Sequence, residues 1–487
     1  MALFAFDPTP WGLMAFDVLI RVGLSVRVIM RRRPVGVSLA WLTIIVSFPF
    51  VGALVYLFFG ELRLGRRRAD YAARIQGPYQ TWLGDLRSRT RVNWASVGPE
   101  CQPLGRLAEV AGGIPALPDN ELTLLDSADA AFRSLLADIH AAQHTCHMGF
   151  YIWGVGGAAD AVADALLRAS ARGVVCRVLV DAVGGHAFFR SELPARLRRG
   201  GVRVEAAMPV GLFRMWFVRL DLRLHRKIVV IDGEVAYTGS MNLVDPRFFK
   251  KEAHVGEWVD AMVRLRGPAV EGLAITFLGD WEMETGEGVA RLRETGDVHA
   301  LAPAGRAIVQ AVPSGPVARE ESIQAVLLMA IYAARRELVL TSPYFVPDEP
   351  LVTAMATAAL RGVDVTLVVP ARLDSKLASL ASEPSKGDLL ATGVRIVEYE
   401  TGLLHTKSVT VDGELSLFGS LNLDPRSFVL NFELTLAVYD HAFTTALRAL
   451  QQTYIERSRP MDLSAWRGRP ARRRFVENTA RLLGPLL

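Results

Sequence analysis

A chain of 487 residues is too long for one ordinary domain, and its length favours two or three domains. Hydrophobic residues make up 51% of the chain, charged residues only 22%, and the mean hydropathy is +0.24, so we expect a globular protein with an added membrane part. The net charge of +5 fits anionic lipid and nucleic acid equally well, whereas three scattered cysteines without a CxxC pair exclude a disulfide framework and a zinc site.

Two apolar segments begin the chain. Residues 35–60 carry no charge and exceed the roughly 20 residues that cross a bilayer core, so we predict a transmembrane helix there. Residues 11–30 contain Asp17, Arg21 and Arg27, which are costly at mid-bilayer, and form either a second span or an interfacial helix. Arginines flank the strong segment on both sides and predict no orientation, and the lack of a basic region and a cleavage site argues against a signal peptide.

Beyond these segments the chain follows one pattern twice. Strand-like runs at 147–153 and 174–182 alternate with helical stretches in the first copy, and runs at 337–346 and 363–370 do so in the second. This alternation predicts βαβ units and a largely parallel sheet covered on both faces. We therefore predict an α/β protein with a membrane anchor (1–60), a basic helical connector (61–107) and two repeated halves (108–295 and 300–487).

Each half contains a similar polar motif, LHRKIVVIDGEVAYTGSMN in the first and LHTKSVTVDGELSLFGSLN in the second. The histidine and lysine are two residues apart on a run that is typical of a strand, so both side chains are expected on one face. The Asp-Gly pair predicts a hairpin turn into the next strand. The repeated residues are His225, Lys227, Asp232, Ser240 and Asn242 in the first half, and His405, Lys407, Asp412, Ser420 and Asn422 in the second.

HxKxxxxD followed by GSxN, present twice, resembles the HKD signature of the phospholipase D superfamily. The resemblance to its bacterial cardiolipin synthases covers nearly the whole chain, including WLTIIVSFPFVGALVY, YTGSMNLVDPRFF and LNFELTLAV. It implies two phospholipase D-like α-β-α sandwich halves that face one active site, preceded by one or more transmembrane helices. It also implies an enzyme of the bacterial inner membrane that makes cardiolipin and glycerol from two phosphatidylglycerol molecules, without a metal or other cofactor.

The same resemblance implies a role for each motif residue. His225 attacks phosphorus and forms a phosphatidyl-histidine, while His405 protonates the leaving glycerol and then activates the hydroxyl of the second lipid. Lys227 and Lys407 neutralise the non-bridging oxygens, where a compact ammonium suits a phosphoryl group. Opposite protonation states of the two histidines predict a bell-shaped pH dependence. The phosphate-binding pocket is completed by Ser240, Asn242, Ser420 and Asn422.

A catalytic histidine also needs a partner that fixes its tautomer. The candidates are Glu257 and Glu433, which follow the two histidines by 32 and 28 residues, with a salt-bridged surface glutamate as the alternative for Glu257. Asp232 and Asp412 complete the catalytic motifs, but each begins a turn, and a structural role is favoured over a chemical one.

Two more segments combine aromatic and basic residues. Residues 211–223, GLFRMWFVRLDLR, suit either the headgroup boundary of anionic lipid or a buried lid over the site. Residues 466–487 have the same character and are expected on the membrane surface.

Alternatives from other functional classes stay open. The motifs do not separate phosphatidyl transfer from phospholipase D hydrolysis or transfer to another alcohol, because all acceptors compete for one intermediate. A membrane-tethered nuclease is disfavoured by the anchor and by the lack of an evident basic groove for a single strand. A catalytically dead scaffold is disfavoured by two complete motifs. Phosphatidylglycerol, cardiolipin and the anionic membrane are therefore the expected partners, rather than nucleic acid, and an oligomer is possible.

Overall fold

The computed structural model describes residues 8–31, 35–61, 78–211, 219, 221–249, 252, 254–288, 298–316 and 322–482. The chain forms two compact units. The first comprises Met1–Arg66 and Val210–Leu222, and the second comprises Arg67–Pro209 and Arg223–Leu487. Both copies of the repeat lie in the second unit, except for residues 210–222 of the first copy, which belong to the first unit.

The first unit contains the segments predicted as membrane anchor. Its helices are α1 (Pro8–Met30), α2 (Val35–Ser47) and α3 (Val51–Val55), followed by a π-helical turn (Tyr56–Gly60). The helix predicted over 35–60 is interrupted at residues 48–50, because Pro49 has no amide hydrogen and Phe50 has a φ of 53°. Across the described ranges, no helix is both long enough and apolar enough to cross a bilayer.

Every charged side chain of α1 has an ionic partner. Arg21 pairs with Asp17, as their spacing of four residues predicts, and the other Asp17 oxygen accepts the amide of Phe50 at 3.0 Å. Arg27 pairs with Glu61, with Nη2 2.9 Å from Oε2. Such pairing reduces the cost of these charges in an apolar environment.

The second unit is organised around a sheet that runs through both repeats. The strands of the first repeat are β1 (Leu117–Leu125), β2 (Thr145–Phe150), β3 (Val175–Asp181), β4 (Arg203–Ala207), β5 (Arg223–Leu224), β6 (Ile228–Ile231), β7 (Val235–Gly239), β8 (Trp258–Val259) and β9 (Met262–Arg266). Those of the second are β10 (Ala307–Ser314), β11 (Glu337–Thr341), β12 (Asp364–Pro370), β13 (Arg395–Tyr399), β14 (Leu403–Leu404), β15 (Ser408–Val411), β16 (Leu415–Gly419), β17 (Asn431–Tyr439) and β18 (Ser458–Pro460).

The order along the sheet is β18-β13-β12-β11-β15-β16-β17-β10-β1-β9-β7-β6-β2-β3-β4. Only the ladders β2–β3, β3–β4, β11–β12 and β12–β13 of this path are parallel; its other ladders are antiparallel. The sheet is therefore mixed, and the prediction of a largely parallel sheet was wrong. The reason lies in the motif, because its Asp-Gly hairpin forces β6 and β7, like β15 and β16, to pair antiparallel.

Helices cover the sheet and complete a core in each repeat. The connector and first repeat contain α4 (Pro78–Arg89), α5 (Cys101–Gly112), α6 (Ala128–Ala141), α7 (Ala158–Ala171), α8 (His186–Arg190), α9 (Leu193–Arg199) and α10 (Ala269–Thr285). The second contains α11 (Ser322–Ala333), α12 (Glu349–Leu360), α13 (Lys376–Ala391), α14 (Pro425–Val429), α15 (His441–Glu456), α16 (Leu463–Arg467) and α17 (Ala471–Leu482). The boundary predicted at 107/108 falls inside α5, whose buried side chains belong to the core of the second repeat. Of the connector, 62–77 lie outside the described residues.

The HxK triplets lie between strands rather than within them, contrary to the strand assignment made from sequence. Residues 225–227 connect β5 to β6, and residues 405–407 connect β14 to β15. The physical reason is a change of partner, because β5 and β14 pair with strands of the opposite repeat, whereas β6 and β15 pair with β2 and β11 of their own. Each histidine therefore lies where the pairing partner of its segment changes from the opposite repeat to its own repeat.

Candidate active site

Two short parallel ladders bring the repeats together at the histidines. β5 pairs with β17, and the amide of His225 donates to the carbonyl of Phe432 at 2.9 Å. β14 pairs with β8, and the amide of His405 donates to the carbonyl of Val259 at 2.8 Å. These ladders hold both HxK triplets against the opposite repeat.

Each imidazole is bonded to a carboxylate of the other repeat. His225 Nδ1 lies 2.8 Å from Glu433 Oε1 and 2.9 Å from Oε2. His405 Nδ1 lies 2.7 Å from Asp260 Oδ1. A carboxylate at Nδ1 fixes the tautomer and leaves Nε2 of each ring for chemistry.

Sequence reasoning missed Asp260 and paired Glu433 with the wrong histidine. Glu257, the candidate named for the first repeat, has an exposed side chain, and its carbonyl accepts the amide of Leu403 at 2.9 Å. Side chains alternate along an extended segment, so residues 257 and 260 point to opposite sides. The strand register in the structure makes Asp260 and Glu433 equivalent positions, since Gly239 pairs with Met262 and Gly419 with Thr435.

The motif serines hold these carboxylates. Ser240 Oγ donates to Asp260 Oδ1 at 2.6 Å, and Ser420 Oγ donates to Glu433 Oε2 at 2.5 Å. Both hydroxyls are buried, so the sequence-based assignment of the serines to the phosphate differs from the contacts that they make. They orient the groups that orient the histidines.

The motif lysines are buried beside the histidines. Lys227 Nζ donates to the carbonyl of His225 at 2.7 Å, and Lys407 Nζ donates to the carbonyl of His405 at 2.6 Å. Each ammonium retains further hydrogens for an anionic ligand. Two fixed ammonium groups beside two imidazoles can neutralise the oxygens of a phosphoryl group.

Among the described residues, each motif asparagine has one side-chain hydrogen bond. Asn242 Oδ1 accepts the amide of Ile152 at 3.2 Å, and Asn422 Nδ2 donates to Ser427 Oγ at 3.3 Å. Both side chains are buried next to the motif serines, and their role toward a phosphate stays a prediction.

Burial has the largest effect on the pKa values of the two imidazoles and the two ammonium groups. It lowers the pKa of His225 and of His405 to about 4, although Glu433 and Asp260 act in the opposite direction. It also lowers the pKa of Lys227 to about 8, and burial together with the charge of Lys227 depresses the pKa of Lys407 well below its ordinary value. The lysine of each repeat lowers the pKa of the other repeat's histidine, so the two couples share one electrostatic site.

The two carboxylates stay ionised in this setting. Burial acts to raise the pKa of Asp260, but His405 and Lys407 hold it below its ordinary value, and His225 and Lys227 do the same for Glu433. The site therefore has negative groups behind the imidazoles and partly destabilised ammonium groups. A bound anion such as a phosphodiester would stabilise those cations.

Arg226, the variable residue of the first HxK, was also missed. Its buried guanidinium donates through Nε to the carbonyl of Glu433 at 2.9 Å and through Nη2 to that of Ser314 at 3.0 Å, and it pairs with Asp280. Arg226 thus ties its own repeat to the strand that presents Glu433. In the second motif, Thr406 Oγ1 donates to the carbonyl of Val259 at 3.2 Å.

The motif aspartates face away from this chemistry. The Asp232 carboxylate accepts the amides of residues 143, 144 and 145 at 2.7–2.8 Å, and Asp412 accepts those of residues 335, 336 and 337 at 2.8 Å. Both have a φ of 53°, as an Asp-Gly type I′ turn requires. Their contacts fix the start of β2 and β11.

Replacing Asp232 with alanine is expected to lower the free energy of unfolding by about 2–3 kcal/mol, because three amides lose an ionised acceptor and alanine is strained at positive φ. Denaturant titration measures the loss. Turnover per folded molecule should change by less than about threefold, since the carboxylate touches no reacting group. A large fall in turnover at unchanged stability contradicts this structural role.

Two predicted membrane-contact segments are only partly described. Within 211–223, residues 212–218 and 220 lie outside the described residues, and Arg219 pairs with Asp221, with Nε 2.5 Å from Oδ1. At the C-terminus, 483–487 lie outside them, and α17 packs on α13.

Comparison with known proteins gives consistent matches. The family profile described as "Cardiolipin synthase, PLD-like domain" matches residues 135–255 and 327–454, and one described as "Phospholipase_D-nuclease N-terminal" matches residues 19–61. The chain is 43% identical over 476 residues to cardiolipin synthase A of Serratia proteamaculans and 45% identical over 477 residues to that of Erwinia tasmaniensis, with 98% of each chain covered. Its fold is similar to that of the phosphatidylserine synthase of Haemophilus influenzae, with a TM-score of 0.59 at 15% identity over 80% of this chain and 100% of that one.

Proposed function

The chain belongs to the cardiolipin synthase family of phospholipase D-like proteins, and from this premise we propose that it moves a phosphatidyl group from one phosphatidylglycerol to another through a phosphohistidine at His225. It is a phosphatidyltransferase of the phospholipase D type. The observation that supports the mechanism is the crossed pairing of His225 with Glu433 and of His405 with Asp260.

In the first step, the Nε2 lone pair of His225 attacks the phosphorus of the donor lipid. The bond from phosphorus to the headgroup glycerol oxygen breaks, and His405 gives that oxygen its proton, so glycerol leaves as a neutral alcohol. Glu433 stabilises the charge that develops on His225. Lys227 and Lys407 neutralise the non-bridging oxygens.

In the second step, neutral His405 removes the hydroxyl proton of the acceptor phosphatidylglycerol. The resulting nucleophile attacks phosphorus, the phosphorus–nitrogen bond breaks, and His225 is restored. Cardiolipin leaves and His405 is again protonated, so the cycle consumes no water and no cofactor.

The decisive experiment incubates the purified full chain with phosphatidylglycerol in mixed micelles and measures all products. Cardiolipin and glycerol in equal amounts support the proposal. Phosphatidic acid in place of cardiolipin identifies water as the acceptor and a hydrolase as the function. Cleavage of DNA by a chain that leaves phosphatidylglycerol intact contradicts lipid chemistry altogether.

The pH dependence should be bell-shaped, with both limbs at higher pH for kcat than for kcat/KM. Burial lowers the pKa of both histidines in the free enzyme, whereas a bound phosphodiester anion raises these pKa values. The profile of kcat/KM reports the free enzyme and that of kcat the complex. Flat rates between pH 5 and 9, with chemistry rate-limiting, argue against two coupled imidazoles.

We place the enzyme at the bacterial inner membrane, anchored by segments 11–30 and 35–60. Support comes from large apolar side chains that are exposed on α1 and α2, such as Leu19 and Val35, at 70% and 75% exposure. Apolar helix surfaces of this kind are stable only against lipid or another protein. The family match over residues 19–61 also covers this region.

We propose that α17 rests on anionic lipid. Its buried face holds Glu477, which accepts hydrogen bonds from Arg469 and Arg473, and the opposite face exposes Phe475 at 72% and Leu482 at 79%. These two residues are seven positions apart and lie on one side of the helix. Arg472, Arg474 and Arg481 flank them.

Replacing Phe475 and Leu482 together with serine should weaken binding to phosphatidylglycerol vesicles at least about tenfold, because two inserted side chains are lost. Vesicle flotation measures the affinity, which should also fall with added salt. The matched control is Leu360→Ser, another leucine with 74% exposure, which should leave binding unchanged. Equal effects of both changes contradict a membrane role for α17.

A further inference from the structure

The repeat relates the two histidines, but the residues beside their carboxylates differ. Trp258 and Asn431 each lie two positions before the carboxylate of their repeat, Asp260 or Glu433. Each also pairs with the residue two positions before the histidine that this carboxylate binds. Two independent registers therefore make Trp258 and Asn431 equivalent positions with very different side chains.

Trp258 packs directly on His405. The ring centroids are 4.3 Å apart at an interplanar angle of 40°, and both side chains are buried. Phe249 meets the indole at 5.1 Å in an edge arrangement and holds it in place. The face of an indole carries negative potential, so this contact favours the imidazolium form of His405.

Asn431 acts on the other pair through the carboxylate. Its Nδ2 donates to Glu433 Oε1 at 3.2 Å, the same oxygen that His225 approaches at 2.8 Å. Within the described part of the chain, Glu433 accepts side-chain hydrogen bonds from His225, Ser420 and Asn431, whereas Asp260 accepts them from His405 and Ser240. Because Glu433 shares its charge among more donors, it stabilises a proton on His225 less strongly.

We propose that Trp258 and Asn431 are positioning residues that divide the roles of the histidines: Trp258 keeps His405 ready as proton donor, and Asn431 keeps His225 neutral as nucleophile. The inference rests on the proposed function, because it presupposes those two roles. The groups that face His405 are Asp260, Lys407, Lys227 and Trp258, and those that face His225 are Glu433, Lys227, Lys407 and Tyr151.

The test records the pH profile of kcat, with chemistry rate-limiting, for W258L, W258F and N431A. Loss of the indole lowers the proton affinity of His405, so W258L should move the alkaline limb down by about half a unit to one unit. W258F keeps an aromatic face and should restore most of that limb. N431A removes a donor from Glu433, so it should move the acid limb to higher pH and leave the alkaline limb in place.

The matched control is W466L, which removes a tryptophan that stacks on Arg469 in the C-terminal region and should move neither limb. The idea is overturned if W258L and W258F move the limbs equally, or if neither Trp258 variant nor N431A moves any limb. If W258L does not fold, N431A against W258F still decides, since N431A should move the acid limb to higher pH and W258F should leave both limbs close to those of the parent. Failure of the proposed function looks different, because the parent chain would then form no cardiolipin from phosphatidylglycerol, and failure of the proposed nucleophile would leave His225→Asn active.

Discussion

Replacing His225 with asparagine should reduce cardiolipin formation by at least about 10³-fold, because asparagine cannot attack phosphorus. His405→Asn should reduce it by about 10²–10⁴-fold, the usual contribution of a general acid–base group. Thin-layer separation of radiolabelled lipid products measures both rates. His225→Asn removes the nucleophile, whereas His405→Asn removes the proton donor. A donor substrate with a better leaving group distinguishes these two defects.

A phosphodiester donor with a good leaving group, such as a nitrophenol ester, needs no acid for the first step. His405→Asn should therefore release one equivalent of nitrophenol in a burst and retain a labelled phosphoryl group on the protein. His225→Asn should give neither burst nor label. A burst from His225→Asn and none from His405→Asn would show that His405 is the nucleophile and His225 the acid. Absence of label from both proteins would contradict a covalent intermediate.

Replacing Asp260 with asparagine should lower kcat by about 10²–10⁴-fold, because an amide no longer fixes the tautomer of His405 or stabilises its charged form. The matched control is Glu257→Gln, three residues earlier on the same segment, where the side chain is exposed. Glu257→Gln should stay within about twofold of the parent. The two candidates for this role are thereby compared under one assay.

The loss of kcat in Asp260→Asn is attributed to the position of the carboxylate at Nδ1 of His405, and a longer side chain tests that position. Asp260→Glu keeps the charge but lengthens the side chain, so it should recover part of the activity only if the site tolerates the shift. Thermal unfolding of each variant separates loss of fold from loss of chemistry. A greater loss from Glu257→Gln than from Asp260→Asn would contradict the contact between Asp260 and His405.

The repeat and its motif residues could be predicted from sequence because their spacing is local. His225 and Lys227, with their counterparts, follow from one string that recurs at identical intervals. The Asp-Gly turns were equally accessible, because positive φ at two consecutive positions has a strong residue preference. Such features depend on neighbours within a few residues.

The partners of the histidines were not accessible in this way. The segment from Ser240 to Asp260 spans 20 residues and that from Ser420 to Glu433 only 13, so equal offsets from the histidines mislead. The exchange of carboxylates between repeats adds a contact over 208 residues for His225 and 145 for His405. No periodicity in the chain encodes such contacts, which arise only when both repeats pack.

The break in the first unit and the mixed sheet have the same origin in tertiary structure. An uncharged run predicts helix throughout 35–60, yet Phe50 gives its amide to a carboxylate 33 residues away. Alternating strands and helices predict parallel ladders, yet β2 and β11 each also pair antiparallel with a strand from much later in the chain, β6 or β15. In both cases, a local pattern was overridden by a partner distant in sequence.

The ladder between β1 and β10 joins the two repeats in one continuous sheet. Two further ladders, β5 with β17 and β14 with β8, connect the repeats next to His225 and His405. Among the described residues, these ladders tie the two repeats together, so we expect the repeats not to open like a clamshell. We therefore expect bulky lipids to exchange through movement of the loops and side chains around the site, while the reacting groups keep their relative positions. The rate of product release should then change with substitutions in the loops around the site. A crosslink between the repeats should leave that rate unchanged.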